Sequence, residues 1–305
     1  MIAALAGMLG IPAFGAEPAR PGMVNYVEGA AYLNGSVLNQ NQVGSVAMNA
    51  GDLLTTDNGK AEVLLTPGIF LRVGSNSAVK MIAPDLALTK VEVDRGRAAV
   101  EVDQIFKENN VQIVDGGVIT QLVKTGYYEF DANQPQALVF EGRAEVFEGD
   151  NKWQTVKGHH AIALVADARE KSRSFDADGS GDQLYAWSKL RSQYLAEANN
   201  QIADEDAYES GFYPGWYWNP YAWDYTFIGM NPFWSPFGWG FSPWGGWSGW
   251  GFYGRPFYGH GFYGHGYRGG HYVGRPVQHG PVGGFGGGFH GGAGGGGFHG
   301  GGGHR

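Results

Sequence analysis

Residues 51–81 read GDLLTTDNGKAEVLLTPGIFLRVGSNSAVKM, and their turns and apolar runs decide the fold class. An apolar start at Leu53-Leu54 breaks at Asp57-Asn58-Gly59. It resumes as Ala61 to Leu65, turns at Pro67-Gly68, runs out again as Ile69 to Val73, and stops at Gly74-Ser75-Asn76. This spacing predicts three short strands joined by two tight turns. Asn-Gly between apolar alternations is the strongest short-range hairpin signal a sequence carries.

The same grammar extends in both directions. Upstream, Val24 and Tyr26 begin a strand, Gly29 kinks it, Ala30 to Leu33 continue, and Asn34-Gly35 turn the chain. Downstream, short runs such as Leu86–Asp94, Arg97–Val102, Val118–Val123, Tyr127–Asp131 and Arg143–Phe147 lie between Gly, Pro, Asn and Asp clusters. Turn signals roughly every 8–12 residues with no helical period between them predict an all-β domain. Its limits are 24–165, as an antiparallel sandwich, jelly-roll-like, or as a short β-solenoid.

One motif recurs: Gly59-Lys60-Ala61-Glu62-Val63, Gly96-Arg97-Ala98-Ala99-Val100 and Gly142-Arg143-Ala144-Glu145-Val146. Each has a glycine, a basic residue, an alanine, a variable residue and a valine. The physical reading is a turn glycine that tolerates positive φ, then a strand whose first inward residue must be small. Three independent hairpin exits with the same chemistry are the alternative.

These residues, with Gly51 to Thr56, Gly68 to Val73, Asn76-Ser77, Val91-Glu92-Val93 and Val139 to Gly142, resemble the FecR domain family over about Asp52 to Val165. The resemblance implies an extracytoplasmic all-β module. In the family's best-known members it relays a signal from an outer-membrane iron-siderophore receptor to an extracytoplasmic-function sigma factor. Those members carry a cytoplasmic anti-sigma segment and a membrane-spanning helix ahead of the β domain, and neither is found in these 305 residues. The helix and Trp/Gly-rich end look like the appended regions of stand-alone FecR-domain proteins.

Residues 166–182 read as a charged linker. Asp176 to Asp182 matches the opening of an EF-hand loop, with acids at positions 1, 3 and 7 and Gly181 at position 6. Position 12 is Trp187 rather than Glu, so the stronger reading is a helix start, with Ser180 as cap and Gln183 completing a capping box. The helix is placed at 183–205. Leu184, Trp187, Leu190, Tyr194, Leu195, Ala198 and Ile202 form its apolar stripe, with Lys189, Ser192, Glu197 and Asn200 opposite. Such a stripe docks across the β domain, or against a partner helix.

From Gly211 the composition changes. Eight of the ten Trp lie between Trp216 and Trp250, interleaved with Gly, Pro, Tyr and Phe. Phe257-Tyr258-Gly259-His260-Gly261 repeats as Phe262 to Gly266. With no aliphatic period and much glycine, 206–305 is expected to be a disordered low-complexity tail. Its aromatics suit self-association or adhesion to polysaccharide.

Charge and composition bound the function classes. The region before Gly211 holds 17 of the 21 Lys+Arg and 28 of the 29 Asp+Glu, so it carries −11 while the remainder carries +3. An acidic body argues against a nucleic-acid partner. The absence of cysteine removes disulfides, thiol catalysis and Cys-ligated metal. Residues 1–16 are apolar and end with Ala13, Gly15 and Ala16, as in a secretory signal peptide. The expected location is therefore extracytoplasmic, in the periplasm or at the cell surface, with no transmembrane span in the mature chain.

No motif commits to a reaction. His159-His160 reads as a surface pair, and Ser75, Ser77 and Thr125 lack the context of a nucleophile. Seven of the nine His lie from His260 onward, each isolated by glycines, which disfavours a built metal site. Arg268-Gly269-Gly270 is a single RGG triplet. No catalytic, cofactor-binding or metal residues are assigned, and no cofactor. The expected function is an exported, non-enzymatic binding or scaffold module that contacts an envelope protein or cell-surface component. The alternatives are a matrix protein whose tail self-associates and an iron-uptake signalling regulator.

Overall fold

The computed structural model describes residues 18–149, 151–166, 168, 170–179, 182–206 and 214–243. The expected leader at 1–16, the cap Ser180, the pentads, the RGG triplet and the His-rich end lie outside the described residues. In chain order the strands are β1 Val24–Glu28, β2 Ala31–Leu33, β3 Ser36–Leu38, β4 Leu53–Thr56, β5 Lys60–Thr66, β6 Ile69–Val73 and β7 Ala78–Pro84. They continue as β8 Leu88–Arg95, β9 Arg97–Val102, β10 Asn110–Asp115, β11 Val118–Leu122, β12 Gly126–Asp131, β13 Gln136–Val139 and β14 Arg143–Glu148. Then come β15 Asn151–Lys157, β16 His160–Ala163, β17 Arg173–Ser174, the helix α1 Gln183–Asp206, and β18 Gly215–Asn219, β19 Asp224–Ile228, β20 Phe233–Trp234 and β21 Gly240–Phe241.

Two open sheets stack as a sandwich. One has eight strands in the order β1-β5-β6-β9-β12-β13-β16-β17, the other nine in the order β15-β14-β11-β10-β8-β7-β4-β2-β3. The β8–β10 pair is parallel, so the second sheet is mixed rather than purely antiparallel. Alternation builds the core. Ala61, Val63 and Leu71 of the first sheet meet Met81, Val91 and Ile113 of the second in one buried apolar cluster. The all-β expectation holds, and of the architectures weighed the sandwich is the one found.

The turn at Asn58-Gly59 does not make a hairpin. β4 pairs with β2 and β7, whereas β5 pairs with β1 and β6 in the other sheet. Only the second turn of the opening stretch, Pro67-Gly68, joins paired neighbours, with Val63 opposite Leu71 and Leu64 opposite Phe70. At Gly59 the chain instead crosses between sheets alongside β1–β2, which cross at the Gly29 kink. The Asp57 N–H donates to Ala30 O at 3.1 Å across this corner. A Cβ on Gly59 would lie 2.4 Å from Ala30 O, so close approach, not positive φ, requires the glycine here.

The other two copies of the motif sit at equivalent corners. At Gly96 the chain passes from β8 to β9, and at Gly142 from β13 to β14, each time changing sheet. Here φ is positive, +74° and +101°. The alanine two residues on is fully buried in all three copies, Ala61, Ala98 and Ala144, as the small inward position requires. The motif therefore marks where a ladder bends from one sheet into the other. It does not mark hairpin exits.

The helix docks on the outer face of the eight-stranded sheet, but in a different register from the one expected. Leu190 and Tyr194 are exposed at 44% and 47%, while Ser188, Arg191, Ser192 and Asn199 are buried. The sheet face beneath carries Glu62, Arg72, Glu101 and Glu129, so the helix must bury polar groups that pair with them. Its N-cap is Asp182, whose Oδ1 accepts the N–H groups of Leu184 and Tyr185 at 2.8 and 3.0 Å. Asp182 also pairs with Arg97, and Asp176 Oδ1 accepts the Gly179 N–H at 3.1 Å, so two acids of the EF-hand-like stretch serve turn and cap. Within the expected linker, β17 adds an edge strand to β16.

Residues 214–243 depart from the structureless tail expected from 206. They form two hairpins, β18–β19 and β20–β21. Tyr225, Phe227 and Phe241 pack with Met23, Leu64, Phe70 and Leu195 in a second core. Aromatic rings here supply the apolar area that aliphatic side chains supply elsewhere, and the sheet and helix provide the partner surface.

Candidate functional site

The site is built where the eight-stranded sheet, α1 and β19 meet. The registers place Glu62 opposite Arg72, and Arg72 opposite Ala99, on the face that α1 covers. Arg72 Nε donates to Glu62 Oε2 at 2.9 Å, and Arg72 forms an ion pair with Glu101. The Ser192 hydroxyl donates to the other oxygen of Glu101 at 2.6 Å. Arg191 Nη2 reaches Glu62 Oε1 at 2.9 Å and Asp224 Oδ2 at 2.8 Å. The result is a buried chain of alternating sign, Asp224–Arg191–Glu62–Arg72–Glu101, that links hairpin, helix and sheet.

Its electrostatics follow from burial and pairing. Burial alone would raise the Glu62 carboxyl, but Arg191 and Arg72 together hold it down at about 2. Asp103 lies under the same face without a cation of its own. Burial, then the neighbouring Glu101, pushes its carboxyl well above the ordinary range. Burial likewise raises Asp224 against the pull of Arg191. Further along, Glu129 accepts from Arg97 at 2.5 Å and from the Tyr127 hydroxyl at 2.8 Å.

Asn25 extends the network into the hairpin. Its Nδ2 donates to Glu62 Oε1 and to Tyr225 O, both at 2.9 Å, and its Oδ1 accepts the Tyr225 N–H at 2.7 Å. Asn199 donates to Phe227 O at 3.0 Å and accepts from Ser242 N at 2.8 Å, tying the second hairpin to the first. These polar pins hold the loop between β18 and β19 at the surface. Within it Asn219 Oδ1 accepts the N–H groups of Tyr221 and Ala222 at 2.8 and 3.2 Å, and the Asn219 carbonyl accepts from Trp223 N at 2.9 Å. Tyr221 and Trp223 are 74% and 57% exposed on this fixed loop, with Trp223 edge-on to Trp218.

Beside the loop lies a cleft of about 210 Å³ between α1 and the hairpin. Its floor includes Arg191 and Asp224, and its walls include Tyr26 and Tyr194. The Arg191 guanidinium stacks on the Tyr26 ring at 4.1 Å.

No site residue was assigned from sequence. His159 is exposed and His160 half-buried, with Nδ1 2.9 Å from Gly158 O, so the pair stays at the surface. Ser77 Oγ donates to Ser75 O and accepts from Arg97 N at a sheet corner, a structural role. Among the described residues no helix is long and apolar enough to cross a membrane. The network was missed because Glu62 occupies the variable position of the repeated motif. The available signal was the helix itself, where Arg191 and Ser192 stand three or four residues from Ser188 and Leu195.

Comparison with protein-family models and with curated proteins finds no match. Among solved structures the chain is similar to two crystal structures, each of a candidate anti-sigma factor from Parabacteroides distasonis ATCC 8503. The identities are 15% and 14% and the TM-scores 0.36 and 0.37. The matches cover 44% and 45% of this chain and 62% and 64% of those chains, so the chain spans under two thirds of their length. Likeness at this level carries no functional argument.

Proposed function

We propose that this chain is an exported, non-enzymatic binding module of FecR type that contacts an envelope component through the face formed by α1 and the β18–β19 hairpin. The observation that carries the reading is the loop Asn219–Trp223. Two large aromatic side chains stand in solvent there, on a backbone fixed by Asn219 and anchored through a buried ion network. Exposed rings on a rigid mount lose little conformational entropy on binding, which is why aromatic side chains dominate contact energy. The apolar leader and the FecR resemblance support a location outside the cytoplasm.

A photo-crosslinking amino acid placed at Tyr221 in intact cells tests this, with Leu86, exposed on the turn between β7 and β8, as control. The expected result is an envelope component captured from position 221 and not from 86. Capture of the same species from both positions, or of cytoplasmic proteins alone, overturns the proposal.

A further inference from the structure

The cleft beside the aromatic loop has the chemistry of a small polyhydroxyl site, and we infer that it seats one unit of a neutral saccharide. This rests on the reading above only for where the ligand comes from.

Arg191 and Asp224, 4% and 1% exposed, line the cleft, and just under its surface Arg191 Nε and Asp224 Oδ1 have no hydrogen-bond partner in the protein. One residue brings a free N–H donor and the other a free acceptor oxygen, a combination that suits a hydroxyl, which accepts from one and donates to the other. Unpaired buried polar groups are costly, so a ligand that pairs both gains what the free protein forgoes. Asn219 and Gln201, joined by a 3.2 Å hydrogen bond, add amide groups at the same wall. Tyr194, 47% exposed, offers a ring face to the apolar side of a sugar.

Size and charge narrow the class. A cleft of about 210 Å³ is below the ~300–1,000 Å³ typical for drug-sized ligands, so it takes a single small unit of a longer chain. The lining is acidic in balance, since Asp224 and Glu197 outnumber Arg191. Anionic sugars are disfavoured accordingly.

The test uses the full chain, with N-acetylglucosamine trimer and cellotriose as neutral probes and galacturonate trimer as the acidic one. Titration is followed calorimetrically and through the Arg191 Nε–H resonance. The expected result is saturable binding of a neutral probe with a shift of that resonance, no binding of the acidic probe, at least tenfold weaker binding in Tyr194→Ala, and near wild-type binding in Leu190→Ala on the same helix. No binding of any probe overturns the inference, as does binding that Tyr194→Ala leaves unchanged, which would place it elsewhere. Arg191 and Asp224 are left intact because the fold depends on them. Cell fractionation separates the two readings. A cytoplasmic protein that binds the trimer sinks the export reading alone, and an extracytoplasmic one that binds none sinks the saccharide site alone.

Discussion

The eight-stranded sheet has two buried faces that are held in opposite ways. Its inner face meets the second sheet through Ala61, Val63, Leu71, Val100 and Phe130, all apolar and fully buried. Its outer face, equally buried, carries Glu62, Arg72, Glu101 and Glu129 beneath α1. The inner face tolerates exchange among apolar side chains of the right volume. The outer face works only if each charge finds its partner, because an orphaned buried charge costs more than a lost apolar contact. One sheet thus pairs a general adhesive layer with a specific one, and the specific layer sets where the helix and aromatic hairpin sit.

The largest effect that separates the faces is expected from Arg72→Ala. It strips the shared cation from Glu62 and Glu101 and should cost about 3–5 kcal/mol. Its neighbour Leu71→Ala, pointing to the inner face, should cost about 2–5 kcal/mol through the cavity it leaves. Urea midpoints at pH 7 measure both. The sharper contrast is salvage: an additional Glu62→Gln change should recover part of the Arg72→Ala loss and none of the Leu71→Ala loss. Additive behaviour in both pairs would remove the distinction.

The two faces were unequally legible in the sequence for this reason. The small alanine of the motif, Ala61 in β5 and Ala98 in β9, is a local signal, and it marks the inner face as expected. Glu62 stands at the variable position of the motif and Arg72 inside the run Ile69 to Val73, and nothing local tells a charge facing water from one facing a helix more than a hundred residues later. The helix register shifted for the same cause. Leu190 and Tyr194 are apolar yet exposed, and Ser192 is polar yet buried, since partners rather than hydropathy chose the docked face. At Asn58-Gly59 the hairpin signal misleads, because whether the chain returns in the same sheet or crosses depends on Ala30, a non-local neighbour. In 214–243 glycine and proline hid a core made of rings.

Acid separates a paired carboxylate from an unpaired one. Glu62 titrates at about 2 in the folded chain, below its ordinary 4.5. A depressed folded value means its contribution is complete above 4.5 and is lost as pH falls towards 2, roughly 3 kcal/mol in all. Asp115, at the end of β10, is the converse: burial, with Asp131 nearby, raises it to about 7. Its raised value makes stability decline as pH climbs from about 3.8 to 7. Stability profiles of Glu62→Gln and Asp115→Asn should therefore differ in sign. The first loses its dependence below pH 4.5. The second gains most, relative to the parent, at pH 7 and above. Parallel profiles would refute the pairing scheme.

The sheet-crossing corners give a smaller contrast. An added Cβ at Gly142, φ +101°, would sit 2.2 Å from the Tyr128 hydroxyl, which itself accepts the Arg143 N–H at 3.0 Å. Gly35 has φ +79° and nothing within 4 Å of that position. Gly142→Ala should cost about 3 kcal/mol, from backbone strain and steric clash, and Gly35→Ala about 1 kcal/mol, from backbone strain alone. Equal costs would mean that the corner relaxes and that the motif glycine answers to φ only.

The smallest expected effect tests how the charged layer begins. Asp182 caps α1 through two backbone N–H groups and also pairs with Arg97, which in turn holds Glu129. Asp182→Ala removes the cap, at about 1 kcal/mol, while the ion pair, about a third exposed on both sides, adds only a few tenths. Asp182→Asn keeps a capping oxygen and loses the charge. If the cap dominates, Asn restores most of the loss, and added salt changes little. If Arg97 needs Asp182 to stay aligned on buried Glu129, Asn will behave like Ala, and the difference from the parent will shrink in high salt. The first outcome leaves the charged layer starting at Glu62. The second extends it to the first turn of the helix, so that the cap and the ion network become one device for docking α1.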